Sequence, residues 1–177
     1  GVTGSGKTEV YFQAILETLK INKQVLVLLP EIYLSVEWSK RFNDNFGLLP
    51  LLWHSSLSNK DRMKTWHEVN QGKINTIVGA RSALFLPYKN LGLIIIDEEH
   101  DHSYKQEDGV LYNARDMALL RAKIEKIPII LSTATPSLET WTNVKNNKFS
   151  NIILPERFGL AKMPEVNIID MRKVEIE

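Results

Sequence analysis

Five short runs rich in branched apolar residues punctuate the chain: Val25–Leu29, Ile74–Val78, Leu93–Ile96, Ile129–Leu131 and Ile152–Leu154. None shows the strict alternation of a strand with one wet face, so each predicts a strand buried on both sides. Between them, apolar residues recur at helical spacing. Val10, Ala14 and Ile15 mark a first helix; Leu34, Trp38, Phe42 and Phe46, closed by Gly47, a second; Met63, Trp66 and Val69 a third; Met117, Leu120 and Ile124 a fourth. Ser58 with Asp61 forms a capping pair for the third, and Ser137 caps a fifth that carries Leu138, Trp141 and Val144. Residues 101–109 and 146–151 read as loops. Strand and helix alternate throughout, which predicts a mostly parallel sheet with helices on both faces, joined by right-handed crossovers. In such a doubly wound α/β domain, ligands bind at the carboxyl ends of the strands.

Composition narrows this picture without naming a ligand. With 177 residues, 44% of them hydrophobic, the chain has enough material for one sizeable core and little for a second. It has no cysteine, which removes disulfides and thiolate-bound zinc, and its apolar runs are too short to cross a bilayer. A soluble cytoplasmic protein with no membrane partner is the expectation. The formal charge of +1 supplies no global attraction to nucleic acid, so DNA contacts must come from local groups.

The first eight residues, Gly1-Val2-Thr3-Gly4-Ser5-Gly6-Lys7-Thr8, fit G-x-x-x-x-G-K-[ST]. Glycines let backbone N–H groups approach phosphate oxygens, and the following helix adds the positive end of its dipole. Lys7 is placed to reach the β- and γ-phosphates of ATP, and the Thr8 hydroxyl to join a magnesium shell. Because Gly1 is already the first residue of the loop, a strand delivering it is expected upstream.

A second element, the acidic Asp97-Glu98-Glu99-His100, directly follows the Leu93–Ile96 run. Asp97 is suited to hold magnesium and Glu98 to orient or deprotonate water, although an acidic turn after a strand, taken by itself, is more often simply solvated. His100 suits a polar coupling role, and zinc ligation by His100 and His102 is unsupported by any cysteine. Ser132-Thr133-Ala134-Thr135-Pro136 follows another strand; its hydroxyls either sense phosphate or make an ordinary strand-to-helix turn.

These three elements, in this order, resemble motifs I, II and III of superfamily 2 helicases, whose first lobe is a RecA-like P-loop NTPase domain. The resemblance goes further. Gly1–Glu9, Leu29-Pro30-Glu31-Ile32, Trp53-His54-Ser55, Gly79–Phe85, Asp97–Asp101, Ser103–Gln106, Tyr112–Asp116, Ser132–Ser137 and Ile169-Asp170-Met171-Arg172 are similar to the PriA family of primosomal replication-restart helicases. That resemblance implies an ATP- and Mg²⁺-dependent 3′-to-5′ DNA helicase, nucleoid-associated, whose partners are single-stranded and forked DNA, primosome proteins and single-strand-binding protein. It implies that residues 1–165 are the first RecA-like lobe and 166–177 the start of the connection to a second. Lys7, Asp97, Glu98 and His100 would be catalytic, with ATP held by residues 1–8 and magnesium by Thr8 and Asp97.

Pro30, Glu31, Arg81 and Ser82 match segments lining the DNA side, where Arg81 and backbone amides would contact phosphates. Tyr104, Lys105 and Tyr112 fall in the family's aromatic-rich loop, with stacking and charge chemistry suited to DNA. Thr133 and Thr135 would couple the two. Val110-Leu111 and Asn113 depart from residues relatives often carry there. The family's zinc-binding insertion, second lobe and arginine finger are not in these 177 residues, so weak hydrolysis and no unwinding are expected of them alone. A non-catalytic module that binds DNA or a partner and retains these motifs is the alternative.

Overall fold

The computed structural model describes residues 4–30 and 36–157; the expected boundary between 165 and 166, Glu31, residues 1–3 and residues 169–172 lie outside that range. The first helix, α1 (Lys7–Lys20), leads into strand β1 (Gln24–Leu28), followed by α2 (Val36–Phe46) and the three-residue β2 (Leu51–Trp53). Next come α3 (Asn59–Gln71), β3 (Thr76–Gly79), a 3₁₀ turn at Arg81–Phe85 and the longest strand, β4 (Leu91–Asp97). A small hairpin of β5 (Lys105–Gln106) and β6 (Tyr112–Asn113) precedes α4 (Ala114–Glu125), β7 (Ile129–Ser132) and α5 (Leu138–Lys145). Five strands form one sheet in the order β2-β3-β1-β4-β7, every pair parallel, as the alternation of elements predicts.

The two faces of this sheet bury two separate clusters. Leu26, Leu28, Ile77, Ile94 and Ile96 point to the side covered by α3, α4 and the 3₁₀ turn; Val25, Val27, Val78, Leu93 and Ile95 point to α1 and α2. Each fully buried aliphatic side chain contributes roughly 1.5–3 kcal/mol. On the α1–α2 side the packing is aromatic: Phe12 meets Trp38 edge-on at 5.5 Å, and Phe42 and Phe46 sit 4.4 Å apart. Gly79 ends β3 where no side chain fits. A Cβ there would lie 2.6 Å from the Trp53 carbonyl oxygen and 2.8 Å from Ala83 Cβ.

The structure departs from the sequence pattern at several places. Leu51–Trp53 forms the outer strand β2, too short to stand out as an apolar run. Ile152–Leu154 is not a strand: Ile152 and Ile153 are 75% and 69% exposed, and apolar character without a neighbouring edge does not make one. The 101–109 loop contains a 3₁₀ turn and β5, whose partner β6 gives it two residues of antiparallel pairing. In α3 and α4 the elements are right and the faces only in part: Val69 is buried and Met117 packs against the core as expected. Met63, Trp66, Leu120 and Ile124 are exposed, whereas Thr65, and Ala114, Ala118 and Ala122, turn inward. No helix among the described residues is long and apolar enough to cross a membrane.

Candidate nucleotide site

Every central strand ends at the same edge of the sheet, and the amino end of α1 meets them there. Gly4 and Gly6 carry φ of +78° and +82°, a left-handed conformation that glycine adopts at no steric cost. They turn the chain into α1, whose first N–H groups have no side-chain cap. Ser5 Oγ is buried with no hydrogen-bond partner among the described residues. A left-handed loop, uncapped amides and an orphaned buried hydroxyl fit an anionic phosphate. Thr8 lies half-buried in the first turn of α1.

Lys7 Nζ donates to Glu98 Oε1 at 3.0 Å, joining the loop to the acidic element 91 residues later. Glu98 itself is left-handed, φ +47°, which costs a non-glycine residue about 1–2 kcal/mol. That turn aims the Glu98 carboxylate at Lys7 and sends the next side chain, Glu99, into the interior. His100 Nδ1 lies 2.8 Å from Thr133 Oγ1 and 3.6 Å from Glu98 Oε2, and the Thr135 N–H donates to Thr133 Oγ1 at 3.1 Å. The three expected elements therefore meet at one strand edge.

Asp97 is held by residues whose roles the sequence does not announce. Its Oδ2 accepts from Tyr11 Oη at 3.0 Å, and its Oδ1 from Ser132 Oγ at 2.7 Å and the Glu98 N–H at 3.0 Å. Trp38 Nε1 donates to Tyr11 Oη at 2.9 Å. Burial first, and the Asp97 charge second, push the Tyr11 hydroxyl well above its usual range, so it stays a proton donor. Tyr11 falls one turn after Lys7, and that spacing is the signal by which it could have been found.

The DNA-side expectations divide. Tyr104 is 1% exposed, so no ring face is open to a base. Its hydroxyl lies 2.6 Å from the Asp97 carbonyl oxygen and 3.0 Å from that of Leu28, underpinning two strand ends; burial, then Asp97, raise its pKa. Pro30 is buried at the end of β1. Arg81 Nη1 donates to the Lys105 carbonyl at 2.6 Å and so tethers the hairpin to the 3₁₀ turn, while Ser82 Oγ accepts from Trp53 Nε1 at 2.9 Å. Lys105 is exposed beside Glu107, Tyr112 is half-buried with its ring edge-on to Phe85 at 5.3 Å, and Thr135 is exposed. Asp101 opposes burial with hydrogen bonds from Ser103 and the nearby His100 and His102, which together hold its carboxyl below the usual value.

Against known proteins, residues 1–144 match the DEAD/DEAH box helicase family model. The chain belongs to the DEAD/DEAH box helicase family. This helicase-family chain is 48% identical over 176 residues to the replication restart protein PriA of Rickettsia felis, covering 99% of itself and 27% of that protein. To PriA of Bacillus subtilis it is 42% identical over 173 residues, 98% and 22% of the two chains. It thus spans roughly a quarter of the length of these curated relatives. Among solved structures it is similar to the DUF1998 helicase MrfA, with a TM-score of 0.55 at 18% identity over 83% of this chain and 26% of that one. That likeness concerns the fold, a RecA-like α/β lobe with its box, Asp97-Glu98-Glu99-His100, at the strand edge.

Proposed function

We propose that residues 1–165 are the ATP-binding first lobe, and 166–177 the start of the connection to a second, of a 3′-to-5′ DNA helicase acting in replication restart and primosome assembly. The observation that carries this reading is the convergence of the glycine loop, Lys7, Asp97, Glu98 and the His100–Thr133 contact at one strand edge. The reading implies forked and single-stranded DNA, primosome proteins and single-strand-binding protein as partners in the cytoplasm, at the nucleoid, and the replication-restart name of its relatives supports it.

Bound ATP with magnesium would supply the γ-phosphoryl group and its hydrolysis energy. Residues 1–8 bind the phosphates through backbone N–H groups, and Lys7 neutralises them by exchanging Glu98 for phosphate oxygen. Thr8 and Asp97 are the residues suited to the metal, with Tyr11 and Ser132 fixing the Asp97 carboxylate. Glu98, released from Lys7, accepts the proton of the attacking water. His100 and Thr133 connect this chemistry to the 133–137 turn. Arg81, Ser82, Lys105 and Tyr112 would line the DNA side, together with Pro30, which follows β1, and Glu31.

In a protein extended to the length of its relatives, Glu98→Gln should lower single-strand-stimulated phosphate release by about 10²-fold with KM nearly kept. Duplexes with a 3′ tail should be unwound and those with a 5′ tail should not. Unwinding from the 5′ tail, or full hydrolysis by Glu98→Gln, overturns the assignment.

A further inference from the structure

Glu99 is the one residue of the acidic element that faces away from the phosphate loop, and its side chain is fully buried. Four donors converge on it. Oε1 accepts from the Ser137 N–H at 2.8 Å; Oε2 accepts from Ser137 Oγ at 3.1 Å, Thr140 Oγ1 at 3.1 Å and Arg115 Nη1 at 3.3 Å. Arg115 is itself 9% exposed along its side chain and also donates to Ser137 Oγ at 2.6 Å and to Asp116 Oδ1 at 2.9 Å. Burial works against the guanidinium charge, but Asp116 and Glu99 more than offset it. A buried carboxylate and guanidinium persist when paired and hydrogen-bonded; Glu99 accepts from all four donors, and Arg115 donates through Nε and Nη1.

Among the described residues the cluster bonds to none of the phosphate loop, so nucleotide contact does not explain it. What it adjoins is Glu98, in a left-handed conformation that a non-glycine residue keeps only where its surroundings over-determine it. The backbone supplies part of that constraint: the Glu99 N–H donates to the Ser132 carbonyl at 3.1 Å and the Asp101 N–H to the Glu98 carbonyl at 2.8 Å. The side chain of Glu99, clamped between α4 and the start of α5, supplies the rest. We infer that Glu99 and Arg115 are positioning residues, a buried lock that holds Glu98 in the left-handed turn presenting its carboxylate toward Lys7. Insofar as the lock sets the geometry of water activation, it rests on the ATP-hydrolysing role proposed above.

The lock is tested first on the conformation of Glu98, which needs no nucleotide. Crystal structures of the chain carrying Arg115→Met should show Glu98 out of the positive-φ region and the 3.0 Å contact with Lys7 broken. A left-handed Glu98 still paired with Lys7 in that variant overturns the inference. If Arg115→Met does not fold, the double variant Glu99→Leu with Arg115→Met removes both buried charges, and the same two outcomes decide. In a protein of the relatives' length, Arg115→Met should lower kcat by about 10²-fold, as mispositioning of a reacting group does, with affinity for a non-hydrolysable ATP analogue within about threefold. Arg115→Lys, which keeps the charge, should recover part of that loss. Loss of affinity in step with kcat identifies a merely structural role and overturns the inference. Nucleotide binding unaffected by Lys7→Ala would instead refute the ATP-site reading, leaving the Glu98 conformation to decide the lock.

Discussion

Tyr11 is the residue through which the aromatic core and the acidic element are joined. Its hydroxyl accepts from Trp38 Nε1 and donates to Asp97 Oδ2. Tyr11→Phe keeps the ring and leaves the buried indole N–H unpaired, so it should destabilise the chain by about 1–3 kcal/mol in urea unfolding, far more than loss of an exposed hydroxyl. A change below a few tenths of a kcal/mol would show that the hydrogen bonds contribute nothing net. Of the site, the charged groups were legible in the sequence, because Lys7, Asp97, Glu98 and His100 belong to patterns with a fixed spacing. Their supports were not. Glu99 and Arg115 are 16 residues apart, and Glu99 and Thr140 are 41 apart, so only the packing of α4 and α5 onto the strand edge brings them together. Tyr104 is hidden for a related reason: an aromatic residue in a polar loop has the pattern of an exposed one, and only tertiary packing carries its hydroxyl to two strand carbonyls.

Helix faces are where local pattern and tertiary packing part company. In α4, Met117, Leu120 and Ile124 make the larger apolar stripe, but only Met117 of these packs against the core, and Ala114, Ala118 and Ala122, spaced by one turn, face the sheet. Small side chains let the helix approach the strands closely, and a count weighted by side-chain size points to the wrong face. Ala118→Leu should therefore cost about 1–3 kcal/mol by overpacking, whereas Ile124→Ala, at a 70% exposed position, should stay within about 0.5 kcal/mol. Thermal unfolding of the two variants compares them directly, and the reverse order would contradict the placement of α4. Strands were easier to read: β1, β4 and the body of β3 are near-continuous apolar runs because helices cover both of their faces. The outer strands escape that rule. β2 has three residues, and β7, paired only with β4 among the described strands, is half-buried over Ile129–Leu131.

Across the whole molecule, Tyr11 and Tyr104 are both 1% exposed and both have hydroxyls pushed above the usual tyrosine range by burial and Asp97. Their contribution to stability is fully present below about pH 10, where unfolded tyrosine is still protonated, and is lost as pH rises toward the folded values. Stability should fall by roughly 1.4 kcal/mol per pH unit for each tyrosine above that point. Urea midpoints between pH 8 and about pH 11 should follow this slope, and Tyr104→Phe should reduce it; a flat profile would contradict the burial of both hydroxyls. The sheet that buries them also brings Lys7, Asp97 and Glu98 to one edge, which is the basis of the nucleotide reading. Calorimetric titration of the 177-residue chain with magnesium and a non-hydrolysable ATP analogue, repeated on Lys7→Ala, tests that reading most directly. The account predicts saturable binding by the unmodified chain, weakened about tenfold or more by Lys7→Ala. Absence of binding to the unmodified chain, or equal affinity in both, would contradict it.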